Sequence, residues 1–317
     1  MGRPTDARPA LGGDACTHTQ PSKAVRRHRQ QRKLEMPQVT ANDVRLYYER
    51  SGVGDPLVLV HGGWSDHDNW QPVAPALARS FLVVAYDRRG HGQSQRGDQG
   101  TRRDQEDDLA GLIEALDSGP AHVAGTSFGA SIALGLAARR PELVRSVIAH
   151  EPPLMSVVAG DPAAQPLLAK VQVAIEAVGA RLARGDIEGG ARLFVEEVAL
   201  GPGGWEQLPE PLRATMIDSA PAFIAEQRDP TWANADLGEL ARVECPVLLT
   251  QGDQSPAWFL EIVAKLVPGI DGAELGTYRG AGHAPHITHP NDYLAATTAF
   301  LARSGERRER SLAMVGQ

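Results

Sequence analysis

Short apolar runs rich in β-branched residues alternate along the chain with segments of helical periodicity. Seven runs have the length and composition of strands, at residues 44–49, 57–60, 81–86, 122–124, 146–149, 247–250 and 273–278. Between two of them, apolar residues recur at intervals of three and four, as the buried face of one helix requires, at Leu109, Leu112, Ile113 and Leu116. This alternation predicts parallel βαβ units, and therefore an α/β fold with a mostly parallel central sheet flanked by helices.

The alternation stops between residues 154 and 235, where helical patterns follow one another and no strand is predicted. The clearest apolar stripe at helical spacing consists of Leu168, Val171, Ile175, Val178 and Leu182. A run of helices inserted into a βαβ series predicts a helical cap. We therefore expect an α/β core in two parts, at 37–153 and 236–303, with the cap at 154–235 between them.

The two ends of the chain lack apolar periodicity. Residues 1–36 are rich in arginine and polar residues, and residues 304–317 include the charged stretch GERRERS. Segments that cannot bury apolar surface stay unfolded, because nothing offsets the conformational entropy lost on ordering them. We expect a disordered leader over 1–36 and a disordered tail over 304–317.

Composition narrows the class of partner. The 317 residues are 42% hydrophobic and 22% charged, as is ordinary for a protein with a sizeable core. A net charge of -7 without an internal basic stripe argues against nucleic acid, since phosphate binding needs clustered Lys and Arg. No apolar run reaches the roughly 18 residues of a membrane span, and two cysteines predict no disulfide framework. We expect a small-molecule substrate, no nucleic-acid or membrane partner, and a cytoplasmic setting.

The strongest chemical signal is the G-x-S-x-G pattern GTSFG at residues 125–129, between a predicted strand and a predicted helix. The two glycines let the backbone turn sharply enough to lift Ser127 above the sheet, and the helix directs its positive N-terminal dipole toward developing negative charge. The pentapeptide alone is a weak signal, but the strand-turn-helix context makes Ser127 the candidate nucleophile.

Further motifs accompany this pattern: LVHGGW, VVAYDRRGHGQS, LLTQGDQS and GAGHAPH. Together with VAGTSFGA they resemble the α/β-hydrolase superfamily over residues 38–303, and in particular bacterial cofactor-free hydrolases with a small helical cap. The resemblance implies the α/β-hydrolase fold and a serine nucleophile assisted by a histidine and an acid, with no cofactor. It does not select one reaction, because one fold and one triad serve many substrates.

A serine hydroxyl needs a base to remove its proton before it can attack a carbonyl carbon. In this fold the base follows the last strand, where His283 lies in GAGHAPH. His286 and His289 extend it to an H-x-x-H-x-x-H spacing, but Pro285 and Pro290 prevent the regular helix that would align three metal ligands. We therefore expect His283 to be the base and expect no metal site.

An acid must orient the histidine and balance the positive charge that it acquires. Asp253 follows the predicted strand at 247–250 and precedes His283, in the order typical of the fold. Glu151, after the preceding strand, is the alternative, because some relatives carry the acid there. The sequence favours Asp253 as the acid, and Glu151 then becomes a candidate substrate-binding residue.

The tetrahedral intermediate needs two N–H donors for its oxyanion. One is expected from the backbone of Phe128, the residue after the nucleophile, and the other from Gly63 in the loop HGGW. Trp64, beside Gly63, is a candidate wall of the substrate pocket.

These residues predict a serine hydrolase that cleaves a small, largely apolar ester or lactone through an acyl-enzyme. Dehalogenases and epoxide hydrolases of the superfamily have aspartate where this chain has Ser127, so those activities are not expected. An acyltransferase or perhydrolase with the same triad, and a slow-turnover receptor for a small molecule, remain alternatives. Relatives with perhydrolase activity commonly have proline near the oxyanion loop, where this chain has Trp64.

Overall fold

The computed structural model describes residues 1–2, 37–97 and 100–315, and for residues 306–315 it describes the backbone alone. The chain divides into the units Met1–Met36 and Pro37–Gln317. The predicted disordered leader, apart from its first two residues, lies outside the described residues. The fold is therefore that of the second unit.

Among the described residues, eight strands form one sheet. They are β1 (Gln38–Ala41), β2 (Val44–Ser51), β3 (Pro56–Val60), β4 (Leu82–Tyr86), β5 (Ala121–Thr126), β6 (Val144–His150), β7 (Val247–Gly252) and β8 (Glu274–Tyr278). Their order across the sheet is β1-β2-β4-β3-β5-β6-β7-β8. The contacts of β2 with β1 and β4 are antiparallel and all the others are parallel.

The predicted α/β-hydrolase fold is confirmed by this sheet and the helices around it. All seven predicted strands are present, with bounds shifted by at most two residues, and β1 is an additional strand. The carboxyl ends of β3, β5, β6 and β7 lie at the same edge of the sheet because these neighbours are parallel. Loops that follow these strands are therefore brought together, as is typical of ligand sites in open α/β sheets.

Burial on both faces explains why the central strands are apolar throughout. Val58 and Val60 of β3 pack into the core on one face of the sheet, and Leu57 and Leu59 pack into the core on the other. Successive side chains of a strand point to opposite faces, so a strand covered on both sides needs a continuous apolar run. The sequence LVLV meets that requirement.

Eleven α-helices accompany the sheet within the described residues. They are α1 (Ala74–Leu77), α2 (Arg102–Ala115), α3 (Phe128–Arg139), α4 (Gln165–Ala183), α5 (Ile187–Phe194), α6 (Gly204–Gln207), α7 (Glu210–Glu226), α8 (Leu237–Leu240), α9 (Ala257–Leu266), α10 (Pro285–Thr288) and α11 (Pro290–Val315). The start of α2 is encoded locally, because Thr101 and Asp104 form a capping box that satisfies two backbone N–H groups. None of the described helices is long and apolar enough to cross a membrane.

The region predicted to be the cap, residues 154–235, contains helices and turns without a strand. Four of the five residues in the predicted stripe are buried on α4, and Val178 and Leu182 pack in a cluster with Phe223 of α7. Trp64, from the loop after β3, is part of the same cluster. The loop that carries the expected oxyanion donor is thus packed directly against these helices.

The prediction of a disordered tail at residues 304–317 is wrong for most of its length, because α11 continues to Val315. Tyr293 and Phe300 are buried and fix the first part of this helix on the core. The stretch up to Val315 contains one glycine and two serines, but most of its other residues are Glu, Arg, Leu, Ala and Met, which are strong helix formers. A helix that is already nucleated propagates through such a stretch at little cost.

A buried histidine–aspartate pair ties the loop after β3 to the loop after β4. Asp87 accepts hydrogen bonds from the backbone N–H of His67 at 2.8 Å and from its ring Nδ1 at 2.7 Å. Glu49 and Asp68 lie within 4 Å of the same ring. Burial lowers the pKa of His67, but the hydrogen bond and the charge of Asp87 outweigh this effect and raise the pKa to about 9.

This pair predicts a pH-dependent contribution to stability. Because the pKa of His67 is raised on folding, the contribution is complete below the unfolded value near 6.5 and disappears as the pH rises through about 9. We expect His67→Gln to lower Tm most at about pH 6 and least at about pH 9.5. His289→Gln is the control, since that ring bonds to the Thr288 hydroxyl. A loss of Tm in His67→Gln that is independent of pH would contradict the charged pair.

Candidate active site

Ser127 lies at the turn between β5 and α3 with φ 53° and ψ -124°, a conformation that side-chain-bearing residues rarely adopt. The flanking glycines make the turn possible. A Cβ atom on Gly125 would lie 2.4 Å from the carbonyl oxygen of Gly129, and one on Gly129 would lie 2.3 Å from that of Val60. Any side chain at either position would force the elbow open, so G-x-S-x-G here is a steric requirement of the turn.

His283 follows β8 and lines the same cavity as Ser127. Its Nδ1 is 2.5 Å from Oε2 of Glu151, and its ring stacks on Phe259 with centroids 4.1 Å apart and an interplanar angle of 16°. One ring nitrogen is thus engaged by a carboxylate and the ring plane is fixed by an aromatic neighbour. Nε2 is left as the nitrogen that can accept a proton from Ser127.

The carboxylate at His283 belongs to Glu151, and the expectation that Asp253 orients this histidine is not met. Asp253 is exposed, and its Oδ1 accepts hydrogen bonds from the backbone N–H of Gly280 at 2.8 Å and from the side chain of Gln254 at 3.1 Å. Asp253 therefore stabilises the turn after β8. These two hydrogen bonds hold the carboxylate of Asp253 at the surface.

Glu151 follows β6 and is completely buried. Its Oε1 accepts a hydrogen bond from the backbone N–H of Gly252 at 2.7 Å, and Nε2 of His150 lies 3.5 Å from its Oε2. Burial raises the pKa of Glu151, but the neighbouring imidazoles and the hydrogen bonds to its carboxylate outweigh burial and hold the pKa at about 2. The group beside His283 is therefore an ionised carboxylate at neutral pH.

The expectation that Glu151 binds substrate also needs correction, because its side chain lies under His283 and does not line the cavity. The backbone at Glu151 has φ 46°, in the left-handed region. Strained backbone of this kind persists only where surrounding contacts impose it. Here the turn directs the carboxylate back beneath the strand ends, toward His283.

The two expected oxyanion donors belong to residues that flank Ser127 in the cavity. Phe128 is the first residue of α3, so its N–H has no acceptor within the helix. Gly63 and Gly62 belong to the loop after β3, and a Cβ atom on Gly62 would lie 3.1 Å from Cβ of Ser127. Glycine at residue 62 therefore lets this loop approach the nucleophile closely.

The cavity above Ser127 has a volume of about 140 Å³. Trp64 is buried in its wall, with its ring centroid 4.6 Å from that of Phe223 and 5.4 Å from that of Phe194. The remaining apolar wall comes mainly from the predicted cap, through Ile175, Val195, Val198, Ala199, Leu200, Leu208, Leu212, Met216 and Trp232. Trp64 is thus placed at the cavity, as its prediction as a pocket wall requires.

Within the part of the chain that the structure describes, a metal ion could be held by His150, Glu151 and His283, whose ligand atoms lie within 4.8 Å of one another. Two ligands of a tetrahedral zinc ion lie about 3.3 Å apart, given metal–ligand distances of about 2.0–2.1 Å. The 2.5 Å separation of Nδ1 and Oε2 is that of a short hydrogen bond. The spacing of these two atoms fits a histidine oriented by a hydrogen bond to a carboxylate. The expectation of no metal and no cofactor stays a prediction.

One cavity residue and its buried ion-pair partner have no signal in the sequence. Glu226, at the end of α7, lines the cavity and forms a buried ion pair with Arg88 from the loop after β4. The two are 138 residues apart in the chain, so no local pattern could have paired them.

Comparison with known proteins agrees with this fold. The sequence profile of the alpha/beta hydrolase family matches residues 57–297. The chain is 41% identical over 119 residues to the uncharacterized hydrolase YraK of Bacillus subtilis, a match that covers 37% of this chain and 44% of that protein. It is 29% identical over 286 residues to a 2-(acetamidomethylene)succinate hydrolase of Mesorhizobium japonicum, covering 85% of this chain and 94% of that protein.

A solved alpha/beta hydrolase from Sphaerobacter thermophilus has a similar structure, with a TM-score of 0.68 and 26% sequence identity. The similarity covers 84% of this chain and all of the other. The matched profile spans the strands, the elbow and the histidine loop, which are the parts of the fold that define the family. The chain therefore belongs to the alpha/beta hydrolase family.

Proposed function

We propose that this protein is a serine hydrolase that cleaves a small, uncharged, largely apolar ester or lactone through an acyl-enzyme. The observation that supports it most is the combination of three groups: Ser127 on a strained elbow, His283 in the same cavity, and the ionised carboxylate of Glu151 bonded to His283. Nucleophile, base and orienting acid are the parts that acyl transfer requires. In this proposal the orienting acid is Glu151 and not Asp253, which was expected from the order of residues along the chain.

The first half of the reaction acylates the serine. Oγ of Ser127 attacks the carbonyl carbon while its proton moves to Nε2 of His283, and Glu151 balances the resulting imidazolium. The carbonyl oxygen becomes an oxyanion that accepts hydrogen bonds from the N–H groups of Gly63 and Phe128. Collapse of the intermediate breaks the bond to the alcohol oxygen, which leaves with the proton from His283.

The second half returns the enzyme to its starting state. A water molecule gives a proton to Nε2 of His283 and attacks the acyl carbon, and the same two N–H groups stabilise the second oxyanion. The bond to Oγ of Ser127 breaks, the acid product leaves, and the proton returns to Ser127. In a lactone the leaving alcohol and the acyl group are one molecule, so the product is a hydroxy acid.

The shape and charge of the cavity support the proposed substrate class. A volume near 140 Å³ is comparable to a cavity that accommodates benzene, so the enclosed group is short or compact. No Lys or Arg side chain is among the cavity-lining residues of the described chain. The Mesorhizobium relative is named for a succinate, which carries carboxylates. This cavity offers no unpaired cation for such a group, and we propose a neutral acyl group instead.

A panel of 4-nitrophenyl esters tests the function. We expect kcat/KM to be highest for acyl groups of about four to six carbons, and to fall at least about tenfold for twelve carbons, because longer chains do not fit the enclosed volume. Stopped assays with δ-valerolactone extend the panel to lactones. Absence of turnover above the Ser127→Ala background on every ester and lactone would refute the proposal.

A further inference from the structure

Glu226, in the cavity wall, belongs to a buried ion pair that the proposed reaction does not use. Nη1 of Arg88 lies 2.5 Å from Oε1 of Glu226, and the two side chains are 1% and 3% exposed. Arg88 comes from the α/β core, in the loop after β4, whereas Glu226 ends helix α7. The pair thus joins the core to the predicted cap at the side of the cavity.

Arg88 reaches both chain segments that carry the expected oxyanion donors. Its Nη2 donates a hydrogen bond to the carbonyl oxygen of Gly62 at 2.9 Å, next to Gly63. Its guanidinium carbon lies 5.0 Å from the ring centroid of Phe128. The positive charge of Arg88 therefore lies beside the two segments that carry the N–H groups of Gly63 and Phe128. Arg88 itself is not among the residues that line the cavity.

Glu226 stands between this charge and the substrate. It lines the cavity, and its Oε2 lies 3.7 Å from the position that a Cβ atom on Gly63 would occupy. Gln105 also bonds Arg88, through Oε1 at 2.5 Å, but an amide oxygen carries no net charge. His91, 3.2 Å from Arg88, has a pKa far below its usual value because burial disfavours its charged form. Neutralisation of Arg88 therefore rests on Glu226.

Stability alone gives little reason for such a pair. The cost of removing two charges from water offsets much of their attraction, and packed apolar residues of similar volume are often as stable. The pair does have a direct electrostatic effect, because charges at the wall of a water-poor cavity act strongly on any charge inside it. This electrostatic effect therefore influences which substrates, charged or uncharged, bind in the cavity.

We propose that Glu226 is a specificity-determining residue that masks Arg88, so that the cavity accepts uncharged substrates and discriminates against substrates that carry a carboxylate. The inference rests on the proposed function for the location of the substrate. Loss of the carboxylate of Glu226 exposes a cation and favours anionic ligands. Burial raises the pKa of Glu226, and the guanidinium of Arg88 opposes that effect. Loss of the guanidinium therefore favours protonated Glu226 and leaves no cation for an anionic ligand.

The test measures ligand binding, so it does not require turnover. All variants carry Ser127→Ala, and calorimetry gives Kd for two stable probes, succinanilic acid and its methyl ester. These probes differ by one charge and one methyl group. The ratio of their Kd values reports charge selection even if the protein hydrolyses no ester, whereas the ester panel alone decides the proposed function.

Glu226→Gln keeps the size of the side chain and removes its charge. We expect it to shift the ratio of Kd values about tenfold toward the acid. Asp218→Asn is the matched control, because Asp218 forms an exposed ion pair between α7 and Arg96 of the core. The control should leave the ratio unchanged, since exposed charges are screened by solvent. An unchanged ratio in folded Glu226→Gln would overturn the proposal.

Two further variants keep the test decisive if Glu226→Gln does not fold. Arg88→Met should not shift the ratio toward the acid, because it removes the cation that Glu226 masks, and a shift toward the acid would overturn the proposal. The double substitution Arg88→Met with Glu226→Leu removes both charges and should restore the ratio of the parent. A purely structural role would weaken both probes equally in every variant, and that result would also overturn the proposal.

Discussion

Ser127→Ala is expected to lower kcat on the best ester by at least about 10⁴-fold, because no other group at the elbow can form the acyl-enzyme. Folding should be unaffected. The hydroxyl of Ser127 faces the cavity and fills little of the core, and alanine adopts the same elbow backbone, so Tm should change by less than about 2 °C. Steady-state kinetics and thermal unfolding of the purified variant measure the two quantities.

Ser131→Ala provides the matched control for this variant. Ser131 lies on α3 one turn after the elbow, is completely buried, and its hydroxyl has no hydrogen-bond partner within the described part of the chain. Its replacement should leave kcat within about twofold of the parent. A fluorophosphonate should label the parent at Ser127 and fail to label Ser127→Ala. Near-normal turnover by folded Ser127→Ala would remove the serine mechanism.

The elbow at Ser127, the candidate nucleophile, could be predicted from the sequence because it is built from neighbouring residues. Gly125 and Gly129 are needed where backbone segments approach within 2.4 Å of an added Cβ, and both glycines lie within two residues of Ser127. The strands could be predicted for the same reason, since burial on both faces requires continuous apolar runs such as LVLV. The elbow and the strands are each encoded by residues close together in the sequence, so the spacing of these residues is enough to predict them.

The partner of His283 could not be chosen in this way. β6 and β7 are parallel neighbours that end side by side, so an acid after either strand starts close to the histidine loop. The choice depends on how each loop turns after its strand. The backbone of Glu151 turns back toward His283 at φ 46°. The carboxylate of Asp253 instead accepts a hydrogen bond from the N–H of Gly280 at the surface. Neither contact has a signature in a single sequence, and order along the chain favoured the wrong strand.

The pairing of Arg88 with Glu226 could not be predicted from the sequence either. Arg88 belongs to the glycine-rich turn motif DRRGHG, and Glu226 is the last residue of a helix in the predicted cap. Neither local pattern indicates the other residue as a partner. Their pairing depends on how the predicted cap packs on the core.

The pair of variants Glu151→Gln and Asp253→Asn should separate the two candidate acids. Glu151→Gln is expected to lower kcat by about 10³–10⁴-fold, because an amide can hold the wrong tautomer of His283 and cannot balance its positive charge. The amide keeps the size of the carboxylate, so packing beneath His283 is preserved. A fall in kcat with little change in KM is expected, since Glu151 does not line the cavity.

Asp253→Asn should leave kcat within about twofold of the parent, because Oδ1 of asparagine can still accept the hydrogen bond from Gly280 that fixes the turn. Circular dichroism on both variants establishes that they are folded before the kinetics are compared. The reverse ranking would return the acid to β7 and require the loops after β6 and β7 to rearrange when substrate binds. Comparable large losses would mean that the two carboxylates share the role, and small losses in both would leave His283 oriented by its stacking on Phe259.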